Sequence, residues 1–123
     1  MKNLALLDWD RITADLDEDG FALTGPIFSE VECGGLTESY DDDGAFRSRV
    51  IMARHGFGLG EYRYFQYPLP PIVAELRQSI YPSLAPLANR WAEAMRQEHR
   101  YPADLDSFTR RCHDAGQIKP TPL

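Results

Sequence analysis

The sequence predicts an α+β fold in which helices dominate and one small antiparallel β-hairpin lies near the middle of the chain. Three observations support this prediction. Apolar residues recur at helical spacing in several segments, two runs rich in β-branched and aromatic residues flank a glycine-rich connection, and proline or glycine separates successive segments. With 43% hydrophobic and 26% charged residues, the chain is expected to form one domain, or part of one, over residues 1–123.

The N-terminal third is expected to contain two helices with a short strand between them. The first helix spans Asp8–Asp19 and ends before Gly20, because glycine commonly takes the left-handed conformation after a helix. The strand begins at residue 21 and stops at a Gly-Pro pair, and the second helix spans Ile27–Tyr40. The acidic run Asp41–Asp43 lacks the ligand spacing of an EF-hand, so we interpret it as a solvated turn without chemistry.

The segment Phe46–Tyr67 is predicted to form the hairpin. Two strand-like runs flank a connection with glycines at positions 56, 58 and 60. A dinucleotide-binding fingerprint would need the spacing G-x-G-x-x-G at the start of a helix, and here the spacing differs and a strand-like run follows. The glycines therefore indicate a loop between strands and exclude a Rossmann site.

Three helical segments are predicted after the hairpin. Pro82 and Pro86 restrict the residues before them, so one helix is expected over Pro71–Tyr81 and a second over Pro86–His99. Asp104 is positioned to cap a last helix that ends at Gly116. The apolar residues expected on the inner faces of these helices are Ile72, Val73, Leu76, Ile80, Leu87, Trp91, Met95, Leu105, Phe108 and Cys112.

Cysteine content and hydropathy point to the cytoplasm. Cys33 and Cys112 lie far apart without a C-x-x-C spacing, which argues against a zinc site or a disulfide framework, and both thiols are expected to be buried. The first residues do not resemble a signal peptide, and the sequence contains no apolar run long enough to span a membrane. A cytoplasmic protein without membrane contact is expected.

The net charge of −6 conceals a segregation of charge along the chain. Residues 1–43 carry two basic and twelve acidic side chains, residues 44–67 carry four basic and one acidic, and residues 68–123 carry seven basic and six acidic. An acidic protein is a poor non-specific ligand for polyanions, but a local basic segment can still bind phosphate. The hairpin is therefore the segment predicted to bind an anionic ligand.

The residues by themselves do not form a complete catalytic set. A non-haem iron site uses two histidines and a carboxylate, usually starting as H-x-D or H-x-E, and none of His55, His99 and His113 has an acid two residues later. The hairpin does carry arginines, which bind phosphate or carboxylate, and tyrosines, which can stack on a base. The alternative interpretation is a half-buried sheet whose long polar side chains simply point outward. The hairpin residues concerned are Arg47, Arg49, Arg54, His55, Tyr62, Arg63, Tyr64 and Tyr67.

Three segments resemble a family of prokaryotic 2-oxoglutarate- and Fe(II)-dependent oxygenases related to AlkB-like enzymes, which act oxidatively on damaged nucleic acid. They are FRSRVIMARHGFGLGEYRYFQYPLPP, LRQSIYPSLAPLANRWAEAM and RCHDAGQIKPTPL. The resemblance implies a helix-rich N-terminal part that precedes a double-stranded β-helix, or jelly-roll, core absent from this chain. It also implies Fe(II) and 2-oxoglutarate as cofactors and an alkylated nucleic acid or nucleotide as substrate.

The family's iron and cosubstrate ligands lie beyond a stretch that corresponds here to Lys119–Leu123. The resemblance therefore assigns no catalytic or metal-binding residue to this sequence, and the chain is expected to be truncated, inactive alone and free of bound cofactor. It implies a substrate-binding role for the hairpin, and the residues predicted to orient the substrate are Arg54, His55, Arg63 and Tyr64.

A non-enzymatic binding module that uses the basic hairpin of residues 46–67 without a metal remains the alternative function. If the helices lack the core that they would cover, their apolar faces are also expected to cause self-association.

Overall fold

In the computed structural model, residues 4–118 are described, and they form an α+β arrangement with four α-helices and one two-stranded sheet. The helices are α1 (Trp9–Asp19), α2 (Glu30–Glu38), α3 (Pro71–Ala94) and α4 (Leu105–Asp114). The strands are β1 (Phe46–Ile51) and β2 (Glu61–Phe65), which pair antiparallel. The predicted fold class, with dominant helices and a small hairpin, is confirmed for this part of the chain. The predictions for residues 119–123 lie outside the described residues.

The first helix agrees closely with its sequence signals. The Asp8 side chain accepts a hydrogen bond from the backbone N–H of Arg11, and Gly20 ends α1 in the left-handed conformation with φ 76°. The predicted strand at residue 21 is wrong: residues 21–27 contain no strand, and Phe21 and Leu23 are exposed. A strand needs a hydrogen-bonding partner, and within residues 4–118 only β1 and β2 pair with each other.

The second helix is shorter than the predicted Ile27–Tyr40. A capping box starts it: the Ser29 hydroxyl accepts from the Glu32 N–H, and the Glu32 carboxylate accepts from the Ser29 N–H. The helix ends at Glu38, and two short 3-10 turns, Ser39–Asp41 and Asp43–Ala45, lead into β1. The acidic run is exposed, as predicted for a turn. One of its residues, Asp43, nevertheless forms an ion pair with Arg63.

The two helices predicted on either side of Pro82 are one continuous helix, α3. Both Pro82 and Pro86 are exposed, so the carbonyls that lose a helical donor at these prolines face solvent and can bind water. The buried residues of α3 are Ala85, Leu87 and Ala92, and all three lie in the part of the helix that follows Pro82.

Helix α3 ends five residues before the predicted end at His99, because Arg96 adopts φ 56° and the Gln97 N–H donates to the Ala92 carbonyl at 2.8 Å. No glycine marks this end in the sequence. The prediction that Trp91 and Met95 face inward is wrong to different degrees. Trp91 is 37% exposed and Met95 is 60% exposed, because Met95 follows the helix rather than continuing its inner face.

A coil from residue 97 to 104 connects α3 and α4 and is tied to both helices. Asn89 bonds both backbone groups of Tyr101, as donor to the carbonyl at 2.9 Å and as acceptor from the N–H at 2.6 Å. The Phe108 ring contacts the Tyr81 ring at 5.6 Å and the Tyr101 ring at 5.5 Å. The predicted cap is confirmed, since the Asp104 carboxylate accepts from the Ser107 N–H.

Few apolar side chains are buried among the described residues. They are Ile12, Phe65, Ala85, Leu87, Ala92 and Leu105. Phe65, at 1% exposure, stacks on Phe46 with ring centres 4.9 Å apart, and burial of a side chain of this size stabilises a fold by about 1.5–3 kcal/mol. The expectation of two buried thiols is wrong, because Cys33 is exposed on α2 and Cys112 is half-buried. In the part of the chain that the structure covers, the helices do not combine the length and apolar character needed to cross a bilayer.

Candidate functional site

The hairpin presents different side chains on its two faces. Arg49 lies opposite Arg63 across the strands, and Ser48 lies opposite Tyr64. Because successive strand residues point to opposite faces, the two arginines share one face, while Ser48 and Tyr64 share the other. A shift in the pairing register between Phe46 and Ser48 marks a bulge at the start of β1.

Arg63 is the centre of a charged and aromatic group on the first face. Its Nη1 donates to Asp43 Oδ1 at 2.7 Å, and its Nε lies 3.8 Å from Glu61 Oε1. The guanidinium lies 4.8 Å from the centre of the Tyr40 ring and 5.4 Å from that of Phe46, within the range of cation–π attraction. Only 12% of the Arg63 side chain is exposed. For this residue, the interpretation as an outward-pointing polar side chain is wrong, because carboxylates and aromatic rings hold it against the protein.

Glu61 connects Arg63 to two further groups. Its Oε1 accepts from the Tyr40 hydroxyl at 3.0 Å, and its Oε2 accepts from Arg49 Nε at 2.7 Å. The Arg49 hydrogen bond, acting against partial burial, lowers the pKa of Glu61 below its ordinary value. Burial, together with the hydrogen bond to Glu61, raises the pKa of Tyr40. We name this group the Arg63 cluster, and its members are Tyr40, Asp43, Phe46, Arg49, Glu61 and Arg63.

The second face of the hairpin is aromatic. The rings of Tyr62 and Tyr64 meet edge to face with centres 5.6 Å apart. Next to them in the pairing, the buried hydroxyl of Ser48 has no hydrogen-bond partner among residues 4–118. A pair of tyrosines of this kind offers flat surfaces on which a base can stack.

The turn between the strands carries the other predicted residues. Arg54 and His55 lie in the 3-10 turn Met52–His55, and both are exposed. The structure thus brings Arg54 and His55 together at the turn, and it places Arg63 and Tyr64 on opposite faces of β2. The four predicted substrate-binding residues do not form one pocket, and their contact with a substrate stays a prediction.

Comparison with known protein families reveals what this hairpin and the helices after it resemble. The model of the Oxygenase-NA family, described as an oxygenase catalysing oxidative methylation of damaged DNA, matches residues 60–123, just over half of the chain. The chain belongs to this family. The match begins immediately before β2 and therefore includes Arg63, Tyr64, α3 and α4.

Relatives of this Oxygenase-NA member include two uncharacterized proteins, MT2286 and Rv2227, from two strains of Mycobacterium tuberculosis. Each is 37% identical over 59 residues, which is 48% of this chain and 25% of the relative. The matched segment thus spans only about a quarter of the length of these relatives. No solved structure matches the chain.

The residues described here do not fit an iron site. Between residues 4 and 118 there is no group of three histidine, cysteine or acidic side chains that could hold a metal ion. The histidines are spread over different elements: His55 lies in the hairpin turn, the His99 ring contacts Tyr101, and His113 Nε2 lies 3.4 Å from the Tyr67 hydroxyl.

Four members of the Arg63 cluster were not singled out as candidate site residues from the sequence: Tyr40, Asp43, Phe46 and Glu61. Tyr40 was expected at the end of a helix and Asp43 in a solvated turn, yet both contact Arg63. Asp43 is 91% exposed and still forms the shortest measured ion pair of Arg63. Their positions depend on how the chain folds back on β2, and the sequence contains no local signal for this contact.

Proposed function

We propose that this chain provides substrate-side surface for an Fe(II)- and 2-oxoglutarate-dependent dioxygenase that oxidises damaged, alkylated nucleic acid. The observation that carries the proposal is the Oxygenase-NA match over residues 60–123, which starts at the hairpin. The dependence on Fe(II) and 2-oxoglutarate rests on the resemblance described above. These cofactors would supply the oxidation, and the residues described here would bind and orient the nucleic acid.

The charge distribution supports this role for the hairpin. Residues 44–67 carry four of the arginines and one acid in a chain whose net charge is −6. Glu61, the one acid, is bound by Arg49, so it does not offer a free negative charge to an approaching phosphate. Arg54 and His55 are exposed and can contact phosphate directly, whereas the acidic residues 1–43 repel it.

Arg63 could reach a substrate by exchanging its partner. Asp43, which accepts from its Nη1, is largely exposed, so a phosphate group could replace this carboxylate without disturbing the contacts with Tyr40 and Phe46. Tyr64 would act on the opposite face by stacking on a base. In this proposal Arg54, His55 and Arg63 bind phosphates, and Tyr64 binds a base.

The direct test measures the affinity of the chain for a fluorescently labelled single DNA strand that contains 1-methyladenine. Fluorescence anisotropy reports binding, and the titration is repeated at several salt concentrations. We expect Arg54→Ala to weaken binding and to lower the slope of log affinity against log salt by about 1, as loss of one phosphate contact does. His55→Ala and Tyr64→Ala should also weaken binding, and Tyr64→Phe should retain it. The matched control is Arg110→Ala, which removes an exposed arginine of α4 outside the hairpin.

Unchanged affinity in the Arg54, His55 and Tyr64 variants would refute the hairpin as the substrate surface. The non-enzymatic module remains the second candidate, because the described residues contain no metal-binding group. It predicts the same binding but no preference for the methylated strand over an unmethylated strand of equal length.

A further inference from the structure

The turn of the hairpin exposes apolar and basic side chains together. Phe57 is 75% exposed and Leu59 is 95% exposed. Arg54 and His55 are exposed in the same turn, and residues 52–60 contain no acid. Exposed apolar side chains are common when scattered singly, but two in one turn form a local patch that a partner can cover. We name residues 52–60 the hairpin tip.

A groove in the N-terminal part of the chain also exposes apolar side chains. It has a volume of about 380 Å³ and lies between the start of α1 and the segment that follows this helix. Leu6, which lines the groove, is 79% exposed, and Leu23, next to the lining residue Thr24, is 74% exposed. We name it the N-terminal groove, and its lining residues are Leu6, Leu7, Asp8, Arg11, Thr24, Gly25 and Pro26.

The groove lies in a region of negative charge. Helix α1 carries five acidic side chains and one basic side chain, Arg11. The Arg11 guanidinium already donates to Asp15 at 3.1 Å and to the Leu23 carbonyl at 3.0 Å. Asp10 is exposed and takes part in none of the ion pairs found within residues 4–118. This region repels phosphate, so its complement is a partner that is both basic and apolar.

The hairpin tip has both properties, but it does not cover the groove of its own copy. Phe57, Leu59, Leu6 and Leu23 are between 74% and 95% exposed. Residues 1–43 carry two basic and twelve acidic side chains, whereas residues 44–67 carry four basic and one acidic. Complementary charge of this kind steers association and fixes the orientation of the partners. The chemistry of the two surfaces therefore favours a second copy of this chain as the partner.

We infer that two copies exchange hairpin tips: each tip inserts Phe57 and Leu59 into the N-terminal groove of the other copy, with Arg54 facing Asp10. Each copy then contributes one tip and one groove, so the same contact occurs twice in a closed two-fold pair. This inference goes beyond the proposed function and does not depend on it. Because the contact covers Arg54 and His55, a copy within the pair would not bind phosphate through these residues at the same time.

The first experiment measures the mass of the 123-residue chain by light scattering and sedimentation equilibrium over a range of concentrations, without nucleic acid. We expect a pair at high concentration that dissociates on dilution. Phe57→Ser and Leu23→Ser should each raise the dissociation constant of the pair about tenfold or more, because each removes an apolar contact from the interface. The matched control is Met95→Ser, which removes a side chain that is 60% exposed outside both surfaces and should leave the constant unchanged.

A charge exchange tests which surfaces meet. Arg54→Glu and Asp10→Lys should each weaken the pair, because each places like charges on the two sides of the contact. An equimolar mixture of the two variants should restore pairing, since every tip then meets a groove of opposite charge. Glu75→Lys, which makes the same change of charge at an exposed position of α3, should have no effect. Circular dichroism checks that each variant is folded, and Leu23→Ser tests the groove independently of Asp10.

Three results would overturn the inference. A monomer at every concentration would mean that something other than a second copy covers the groove. If Phe57→Ser weakens the pair but Leu23→Ser and Asp10→Lys do not, the tips contact each other instead. If the mixture of Arg54→Glu and Asp10→Lys pairs no better than either variant alone, Arg54 does not face Asp10 across the contact. Binding of the methylated single strand is measured separately, so the failure of either proposal leaves the other standing.

Discussion

The guanidinium of Arg63 lies 4.8 Å from the centre of the Tyr40 ring, and both side chains contact Glu61. This arrangement joins the segment after α2 to the second strand of the hairpin. It makes the fold of the hairpin depend on the ionisation of Glu61, whose pKa lies below its ordinary value chiefly because of the Arg49 hydrogen bond. A carboxylate with a lowered pKa stabilises the fold at neutral pH, and this stabilisation is lost as the pH falls through its folded-state pKa.

We therefore expect Glu61→Gln to lower the melting temperature at neutral pH and to make stability less dependent on pH below the ordinary range of a glutamate. Thermal melts across that range measure both effects. Glu75→Gln, which changes an exposed carboxylate on α3, serves as the control and should keep the wild-type pH dependence. If the melting temperatures of the wild type and Glu61→Gln fall in the same way as the pH is lowered, the ionisation of Glu61 does not contribute to folding.

The buried side of α3 should determine the stability of the helical part. Leu87 is 5% exposed, and Leu87→Ala should reduce the free energy of unfolding by about 2–5 kcal/mol. Met95, which is 60% exposed, is the comparison: Met95→Ala should change it by no more than about 0.5 kcal/mol. Urea unfolding followed by circular dichroism measures both, and equal losses would contradict the packing described for α3.

The exposed proline in the middle of α3 should cost stability. Pro82→Ala restores a helical donor, and a proline inside a helix costs about 3 kcal/mol relative to alanine. Alanine gives the unfolded chain more conformational freedom than proline does, and this difference reduces the gain in stability by about 0.4–1 kcal/mol. We expect a net increase in the free energy of unfolding of about 2 kcal/mol, and little change for Pro71→Ala at the first turn. A lower melting temperature for Pro82→Ala would show that packing at Ala85 and Leu87 needs the proline.

The small core predicts that the isolated chain is marginally stable or self-associates. Among the described residues, six apolar side chains are buried, while large ones such as Leu6, Val31 and Met95 are more than half exposed. Burial of one large apolar side chain contributes about 1.5–3 kcal/mol, and a domain has only about 5–15 kcal/mol of net stability. Light scattering and thermal melting test this, and a monodisperse monomer that melts cooperatively above about 60 °C would contradict it.

The isolated chain is not expected to turn over 2-oxoglutarate. The described residues contain no group of three metal ligands, so we expect the purified chain to show no decarboxylation of 2-oxoglutarate above a no-protein control when Fe(II) is present. Released carbon dioxide from labelled 2-oxoglutarate is the measurement. Turnover that disappears in His55→Ala or His113→Ala would show that one of these histidines belongs to an active site.

The sequence by itself determined the features that local hydrogen bonds and backbone preferences set. Asp8 and Gly20 mark both ends of α1, Asp104 marks the start of α4, and the glycine-rich run marks the hairpin connection. These signals act within a few residues of one another, so they hold whatever the rest of the chain does. The basic charge of the hairpin was visible for the same reason.

Only the tertiary structure decided which segments found partners. Phe21 was a reasonable strand residue, but no strand pairs with its segment. Helix α3 stays continuous through Pro82, which lies on the exposed side of the helix. Arg63 was visible as a basic residue, yet its contacts with Tyr40 and Asp43 join positions distant in the chain. Such contacts depend on the folded path between the residues, and local spacing in the sequence carries no information about that path.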